Sequence, residues 1–398
     1  MKPVTVLDIG SSKIVCLSGG FDRRDGLKIQ GVSVCTYNGY QDGVFLDEQS
    51  LHDAVIAAVR GHEKETHCRV RDIALTVPHA FSKLVVSEGT LLIEGHRRVT
   101  DADVDEVINR SLGGIDAEDY VLMHSTPVCF IADGETVSGM PTGVRAGELT
   151  ARVSHMYASK AYIKTFEEIL RGIGVEIRLS LSSGLSNALT VIPEVDRIRP
   201  SVLIDIGYLA TDISVIENSA IIDCRSIAVG GRQFAGDLSF GLDIPIETAE
   251  LVKRRYVFLQ APLSSTELVR LPDGVRRVDQ GVIRLIMEAR ANELSGLIAA
   301  ALNEMGITPD TGSTVYLTGG GLAMQKNGVD YLGQNLQMAV REDTPWVQDM
   351  DTPNYTSAFA ALDFVIRAIG DAEPAEPEEK TNPIAEKLRR LFQMNGGL

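Results

Sequence analysis

A short hairpin pattern occurs twice in this chain, about 200 residues apart, and a repeat of that kind restricts the fold more than any other feature of the sequence. Val4-Thr5-Val6-Leu7-Asp8-Ile9-Gly10-Ser11-Ser12-Lys13-Ile14-Val15-Cys16-Leu17 reads as strand, tight turn, strand. Ser201-Val202-Leu203-Ile204-Asp205-Ile206-Gly207-Tyr208-Leu209-Ala210-Thr211-Asp212-Ile213-Ser214-Val215-Ile216 reads the same way. Both copies place Asp-Ile-Gly where the first strand ends, at Asp8 and Asp205. A third strand-like stretch follows each hairpin, over residues 27–36 and 220–229, rich in alternating β-branched and apolar residues. A helical pattern and another strand come next: residues 48–63 then 73–77 in the first half, residues 280–305 then 314–318 in the second. Two α/β halves, each opening with three meandering strands, predict a duplicated fold.

Residues 1–80 and 160–199 make up the first half, and residues 200–231 and 303–370 the second. Residues 81–159 carry strand and helix signals of their own and read as an inserted subdomain, in which Thr100-Asp101-Ala102-Asp103 has the form of a helix start. Residues 159–172 form an amphipathic helix stopped by Gly172 and Gly174. Residues 371–381 differ in kind, with two prolines, five acids and nothing apolar larger than alanine, which makes them a solvated linker. Asn382-Pro383 then opens a terminal helix within residues 382–398. At 100° per residue, Ile384, Ala385, Leu388, Leu391 and Phe392 share an arc of about 120°, flanked by Lys387, Arg389 and Arg390. That is the pattern of a helix lying in an anionic lipid interface, or else of one packing its apolar stripe onto the body of the protein or onto a partner.

With 398 residues, 44% hydrophobic and 23% charged, the chain is globular and long enough for two or three domains. Lysine and arginine number 38 against 54 acids, a net charge of −16, and so acidic a surface repels phosphate backbones. No nucleic-acid partner is expected. The five cysteines, Cys16, Cys35, Cys68, Cys129 and Cys224, never show a Cys-x-x-Cys spacing, which argues for a reducing compartment and against a zinc site. Asp8 interrupts any signal-peptide core, and there is no apolar run of 18 residues, so the expected location is the cytosol or the cytosolic side of a membrane.

A small-residue turn at a strand end exposes consecutive backbone N–H groups suited to phosphate, as Gly10-Ser11-Ser12 does, and Lys13 adds a point charge for a polyphosphate. Asp8 suits Mg²⁺ held through water, with Asp205 as its counterpart across the expected cleft. One Asp-Ile-Gly alone is more often a plain β-turn; two in matching contexts reverse that reading. Thr318-Gly319-Gly320-Gly321-Leu322 follows a strand, and its glycines allow backbone to approach a base or phosphate closely, although a lone glycine triplet is more often a plain strand-to-helix loop; Gly230-Gly231 has the same standing. Glu250 and Lys253, on a helical stretch over residues 246–255, suit a ribose and base, or else form an ordinary solvated helix face. No nucleophile–base arrangement stands out.

Two Asp-Ile-Gly hairpins and a Thr-Gly-Gly-Gly loop resemble the actin, hexokinase and chaperone ATPase superfamily, whose members bind ATP between two halves. The insertion at residues 81–159, Gly184-Leu185-Ser186-Asn187-Ala188, Ala249-Glu250-Leu251-Val252-Lys253 and the acidic linker with its terminal helix narrow the resemblance to the bacterial FtsA cell division family. It covers nearly the whole chain, and the order of the motifs is more specific than any one of them. What it implies is an actin-like fold, polymerisation with other copies at the division site, and a tether between FtsZ filaments and the inner face of the cell membrane. Residues 232–302 would be the second-half subdomain that receives the acidic FtsZ tail, through basic residues such as Arg254, Arg255 or Arg290. Carried over by motif, the nucleotide site is Asp8, Gly10, Ser11, Ser12 and Lys13, faced by Asp205, Gly207 and Tyr208, with Glu250, Lys253, Gly319, Gly320 and Gly321 around the adenosine.

One departure matters. The family's second phosphate loop is Asp-x-Gly-Gly-Gly-Thr, and here Tyr208, Leu209 and Ala210 take the places of its last residues. A tight turn needing φ > 0 there would be strained, so ATPase activity is expected to be weak or absent. The alternatives are a working sugar-kinase-like or chaperone-like ATPase, for which no catalytic aspartate or substrate domain is evident, and a pilus-assembly relative without the terminal membrane helix.

Overall fold

The structure, a computed structural model, describes residues 3–22, 26–113, 118–261, 265–271, 274–342 and 350–370. The chain begins with β1 (Val4–Ile9), β2 (Lys13–Asp22), β3 (Gly26–Thr36), the small hairpin β4 (Tyr40–Gln41) and β5 (Val44–Phe45), α1 (Glu48–Thr66) and β6 (Asp72–Val77). Then come β7 (Ser82–Arg98), α2 (Asp101–Arg110), β8 (Tyr120–Ala132), β9 (Glu135–Val137), β10 (Arg145–Ser159), α3 (Lys160–Gly172), β11 (Glu176–Ser182), α4 (Ser183–Val191) and α5 (Glu194–Arg197). The next stretch holds β12 (Ser201–Ile206), β13 (Thr211–Glu217), β14 (Ala220–Ile227), α6 (Gly231–Leu242), α7 (Ile246–Arg255), β15 (Thr266–Leu271) and β16 (Gly274–Asp279). Last are α8 (Gln280–Glu304), β17 (Val315–Thr318), α9 (Gly328–Leu336), β18 (Val340–Glu342) and α10 (Thr356–Gly370).

Two sheets share one topology. The first has the order β3-β2-β1-β6-β11 and the second β14-β13-β12-β17-β18. In each, three strands meander antiparallel and two are added parallel. Asp8 pairs with Val15 and Ile9 with Ile14 in one hairpin; Asp205 pairs with Asp212 and Ile206 with Thr211 in the other. The turns close alike, Gly10 N–H donating to the Lys13 carbonyl at 3.0 Å and Gly207 N–H to the Ala210 carbonyl at 2.9 Å. The duplication read from the two hairpins is therefore present in the fold itself.

Strand side chains alternate between faces, and that alternation layers the molecule. Leu7, Ile9, Ile14 and Cys16 bury against α1 and α3, while Val6, Val15 and Leu17 bury against α10. In the second sheet Val202, Ile204 and Ile206 pack under α6, α7, α8 and α9, and Leu203 turns the other way onto Leu185, Ala188 and Val191 of α4. Helices α4 and α10, which touch each other, thus form a layer between the two sheets. By the same period of two, Asp8 falls on the face with Val6 and Asp205 on the face with Leu203. Both aspartates are aimed at the shared helical layer.

Residues 82–159 build a four-stranded antiparallel sheet of order β7-β10-β8-β9 with α2 packed on it. Helix α2 starts on a reciprocal cap: Thr100 Oγ1 accepts from Asp103 N–H at 3.3 Å and Thr100 N–H donates to Asp103 Oδ2 at 2.8 Å. In the second half, α6 and α8 are joined by Arg290, whose guanidinium reaches Asp237 at 2.5 and 2.9 Å and Glu293 at 2.6 Å. That corrects one expectation, because Arg290 is spent on an interhelical pair and is not a free cation for a tail peptide. The acidic linker and the terminal helix, with Ile384, Lys387, Leu388, Arg389, Arg390, Leu391 and Phe392, lie outside the described residues. Among the described residues no helix is long and apolar enough to cross a membrane.

Since α10 carries the layer between the sheets, truncating it should be costly. Leu362 is fully buried with Val6, Val15 and Leu17. Leu362→Ala is expected to lower unfolding free energy by about 2–5 kcal/mol, measured by urea denaturation.

Candidate functional site

The first turn is held from several sides. Asp8 is buried and accepts hydrogen bonds from Thr76 Oγ1 at 3.0 Å and Ser357 Oγ at 2.7 Å. Thr76 comes from β6, beside β1, and Ser357 from the first turn of α10, so both halves of the chain's length meet at this carboxylate. Tyr37 donates its hydroxyl to the Gly10 carbonyl at 2.8 Å, and its N–H donates to the Ser12 carbonyl at 3.3 Å. Lys13 Nζ lies 4.0 Å from the centre of the Tyr355 ring, a cation–π contact that keeps the ammonium at the mouth of the turn. The Ser11 hydroxyl accepts from the Leu209 backbone N–H of the opposite turn at 3.1 Å.

The second turn is cradled by the two glycine loops. Gly319 has φ +89°, and a Cβ there would lie 2.3 Å from Asp205 Oδ1, so only glycine lets this loop pass over the carboxylate. Gly321 N–H donates to the Ile206 carbonyl at 2.7 Å, and Gly320 faces Asn354. At the start of α6, Gly231 N–H donates to the Gly207 carbonyl at 2.9 Å and Arg232 N–H to the Tyr208 carbonyl at 2.8 Å, with Gly230 packed on the same carbonyls. Lys253 is 3% exposed and donates to the Gly231 carbonyl at 2.9 Å and to Glu250 Oε1 at 3.0 Å, 5.9 Å from the centre of the Tyr208 ring. The solvated-face alternative for Glu250 and Lys253 therefore fails for the lysine. The strain expected at Tyr208, Leu209 and Ala210 is absent too. None of the three has positive φ, because the Gly207–Ala210 turn bond forms with ordinary backbone.

Burial dominates the electrostatics. Asp205, which accepts from Asn187 Nδ2 at 3.2 Å, is pushed up to about 7, by desolvation first and then by the charges of Asp212 and Asp8. Burial also raises Asp8, opposed by its hydrogen bonds from Ser357 and Thr76 and by Lys13. Lys13 is lowered to about 8, again by burial, with Asp8 opposing and Arg254 adding to the shift. Burial thus disfavours the charged form of all three groups, and the attraction between Asp8 and Lys13 offsets part of it. Around it, Asn187 Oδ1, Asp212 Oδ1, Thr318 Oγ1, Asn354 Oδ1 and Thr356 Oγ1 are buried without a hydrogen-bond partner. Orphaned donors and acceptors of this kind at the base of two small-residue turns fit a polyphosphate with a divalent cation, which would supply the missing charges. No group of three His, Cys, Asp or Glu close enough to bind a metal alone occurs among the described residues.

Every residue singled out in the two turns and two glycine loops converges here. Sequence reasoning missed Thr76, Asp212, Asn187 and the segment Asn354-Tyr355-Thr356-Ser357. Asp212 lies within the quoted hairpin, two residues past Ala210, and shares a cross-strand pair with Asp205, a signal that register alone provides. Ser357 carries no such signal, since its partner Asp8 is 349 positions away.

A family model described as "Cell division protein FtsA" matches residues 202–360. The cell division protein FtsA of Pseudomonas aeruginosa is 24% identical over 411 aligned residues, covering 99% of this chain and 98% of its own length. Among solved structures, the PilM-PilN type IV pilus biogenesis complex superposes with a TM-score of 0.62 at 14% identity, covering 91% of this chain and 98% of that one. MreB 5 of Spiroplasma citri bound to AMPPNP gives 0.53 at 15% identity, covering 93% of this chain and 97% of that one. The paired sheets and these likenesses define an actin-like fold of two related halves. Besides that fold, the chain is similar to the cell division protein FtsA along nearly its whole length, at modest identity.

The raised Asp205 carboxyl has a consequence for stability. Its folded value lies above the ordinary 3.8, so the stability it contributes is complete below about pH 4 and lost as pH rises toward 7. Asp205→Asn should raise Tm at pH 8 and leave it nearly unchanged at pH 4, by calorimetry at the two pH values.

Proposed function

We propose that this chain is an actin-like cell division protein that ties FtsZ filaments to the cytoplasmic face of the cell membrane, polymerises at the division site and takes Mg-ATP as a structural or regulatory ligand. The observation that carries the reading is the convergence of both Asp-Ile-Gly turns and both glycine loops on one set of orphaned buried polar atoms, in a chain similar to FtsA. Asp8, Gly10, Ser11, Ser12 and Lys13 would meet the phosphates from one side, and Asp205, Gly207 and Tyr208 from the other. Gly230, Gly231, Glu250, Lys253, Gly319, Gly320 and Gly321 would border the adenosine. Asp8 and Asp205 would hold Mg²⁺ through water, which supplies the positive charge these acids lack. Hydrolysis is slow or absent in this reading, because Leu209 and Ala210 stand where the usual loop has a glycine and a hydroxyl side chain.

In the same reading, residues 232–302 receive the FtsZ tail, with Arg254 and Arg255 exposed on α7 as its cations. The terminal helix lies on anionic lipid through Ile384, Leu388, Leu391 and Phe392, with Lys387, Arg389 and Arg390 against the headgroups. A single helix of this size binds weakly, and polymerisation would strengthen attachment by presenting many at once. A pilus-assembly relative is the second reading, favoured by the fold likeness to PilM-PilN.

Mg-ATP and Mg-ADP should bind in calorimetry, and Lys13→Ala should weaken both at least tenfold, because it deletes the cation at the first turn. Cosedimentation with anionic vesicles should retain the intact chain and lose a version ending at Thr381 and the Leu388→Glu variant. Pull-down should capture full-length FtsZ and not its tail-deleted form. Vesicle binding that survives truncation, or equal capture of both FtsZ forms, would favour the pilus reading.

A further inference from the structure

The two turns do not merely face each other; one is fastened to the other through Leu209. The Leu209 backbone N–H and the Ser11 hydroxyl are groups that a phosphate between the turns would be expected to use, and they are bonded to each other at 3.1 Å. The Leu209 side chain is buried, 6% exposed, and sits across on the first half. Its seat is Gly39, in the connection between β3 and β4. Gly39 has φ +84°, and a Cβ there would fall 2.9 Å from Leu209 Cδ1 and 2.2 Å from the Ser11 carbonyl oxygen. A glycine at position 39 is thus what admits an apolar side chain from the second half against the first turn.

We propose that Leu209 is a latch that shuts the second turn onto the first, so that a nucleoside polyphosphate enters only by lifting Leu209 from Ser11 and Gly39. The inference rests on the nucleotide reading above and adds to it the residue that sets affinity. A phosphate must replace the Ser11–Leu209 hydrogen bond and expose a buried leucine before its own charge-assisted bonds form. Apparent affinity then falls by the fraction of molecules that are unlatched. A glycine at 209 keeps the N–H and removes the anchor, and the turn already runs without positive φ, so the substitution relieves burial without needing a new backbone conformation.

The test uses the full chain, with calorimetric titration of Mg-ADP and Mg-AMPPNP into wild type, Leu209→Gly and Leu209→Ala. Hydrogen–deuterium exchange without nucleotide supplies a second readout at residues 9–13 and 207–211. Expected are an affinity gain of tenfold or more in Leu209→Gly, a smaller gain in Leu209→Ala, and faster exchange in both turns. Leu209→Ala also guards against a glycine variant that fails to fold. Unchanged affinity and exchange, with wild type binding nucleotide, would overturn the latch and leave the nucleotide reading standing. No binding by any of the three at millimolar nucleotide would overturn the nucleotide reading, and the latch with it.

Discussion

Asp8 and Asp205 are carboxylates taken out of water at the ends of two strands, and each finds a donor on the helix it faces, Asp8 taking a second from the neighbouring strand β6. Thr76 and Ser357 serve Asp8; Asn187 serves Asp205. A buried acid without partners would cost several kcal/mol, so these bonds constrain where α4 and α10 can lie. Helix α10 must present its first turn to β1, and α4 must turn Asn187 toward β12 while burying Leu185 and Ala188 under the same sheet. The layer between the sheets is therefore positioned by polar contacts at one end and by apolar packing along the rest. The orphaned buried polar atoms gathered at that polar end are what make it the candidate site.

Although the two hairpins share a register, their turns have opposite characters. The first is polar, with Ser11, Ser12 and Lys13; the second buries Leu209 and leans Tyr208 toward Lys253. Burying a leucine at such a position stabilises the approach of the halves by something on the order of 1.5–3 kcal/mol. A glycine-rich turn would offer no such anchor. The second turn thus holds to the first half by an apolar side chain where the first turn offers polar groups.

The duplicated fold was legible because a period-two pattern ending in Asp-Ile-Gly recurs, and strand register then places whatever follows. Lys253 was legible as a residue of interest but not as a buried one; its helix reads Glu250-Leu251-Val252-Lys253-Arg254-Arg255, and nothing local separates a lysine tied to the Gly231 carbonyl from its two exposed neighbours. Strain at Tyr208–Ala210 was inferred by analogy with a glycine turn, and it vanished because a four-residue loop closed by the Gly207–Ala210 bond does not require left-handed backbone. Asn354, Tyr355, Thr356 and Ser357 were out of reach for another reason: their partners Asp8, Lys13 and Gly320 are brought to them only by tertiary packing. Arg290 shows the same limit, since its acid Asp237 lies on another helix.

The second turn is also where the site joins the rest of the second half. Its carbonyls at Gly207 and Tyr208 accept from the first two N–H groups of α6, so turn and helix start are one hydrogen-bonded unit. Lys253 ties α7 to that same start through the Gly231 carbonyl, and Asp237 ties α6 to α8 through Arg290. A displacement of residues 207–210 must then either carry the start of α6 with it or break those bonds. Helix α6 is itself held to α8 by the Arg290–Asp237 pair and by the apolar packing of Phe234, Ala235 and Leu238. The second turn is thus hydrogen-bonded, step by step, through the start of α6 to α7 and α8.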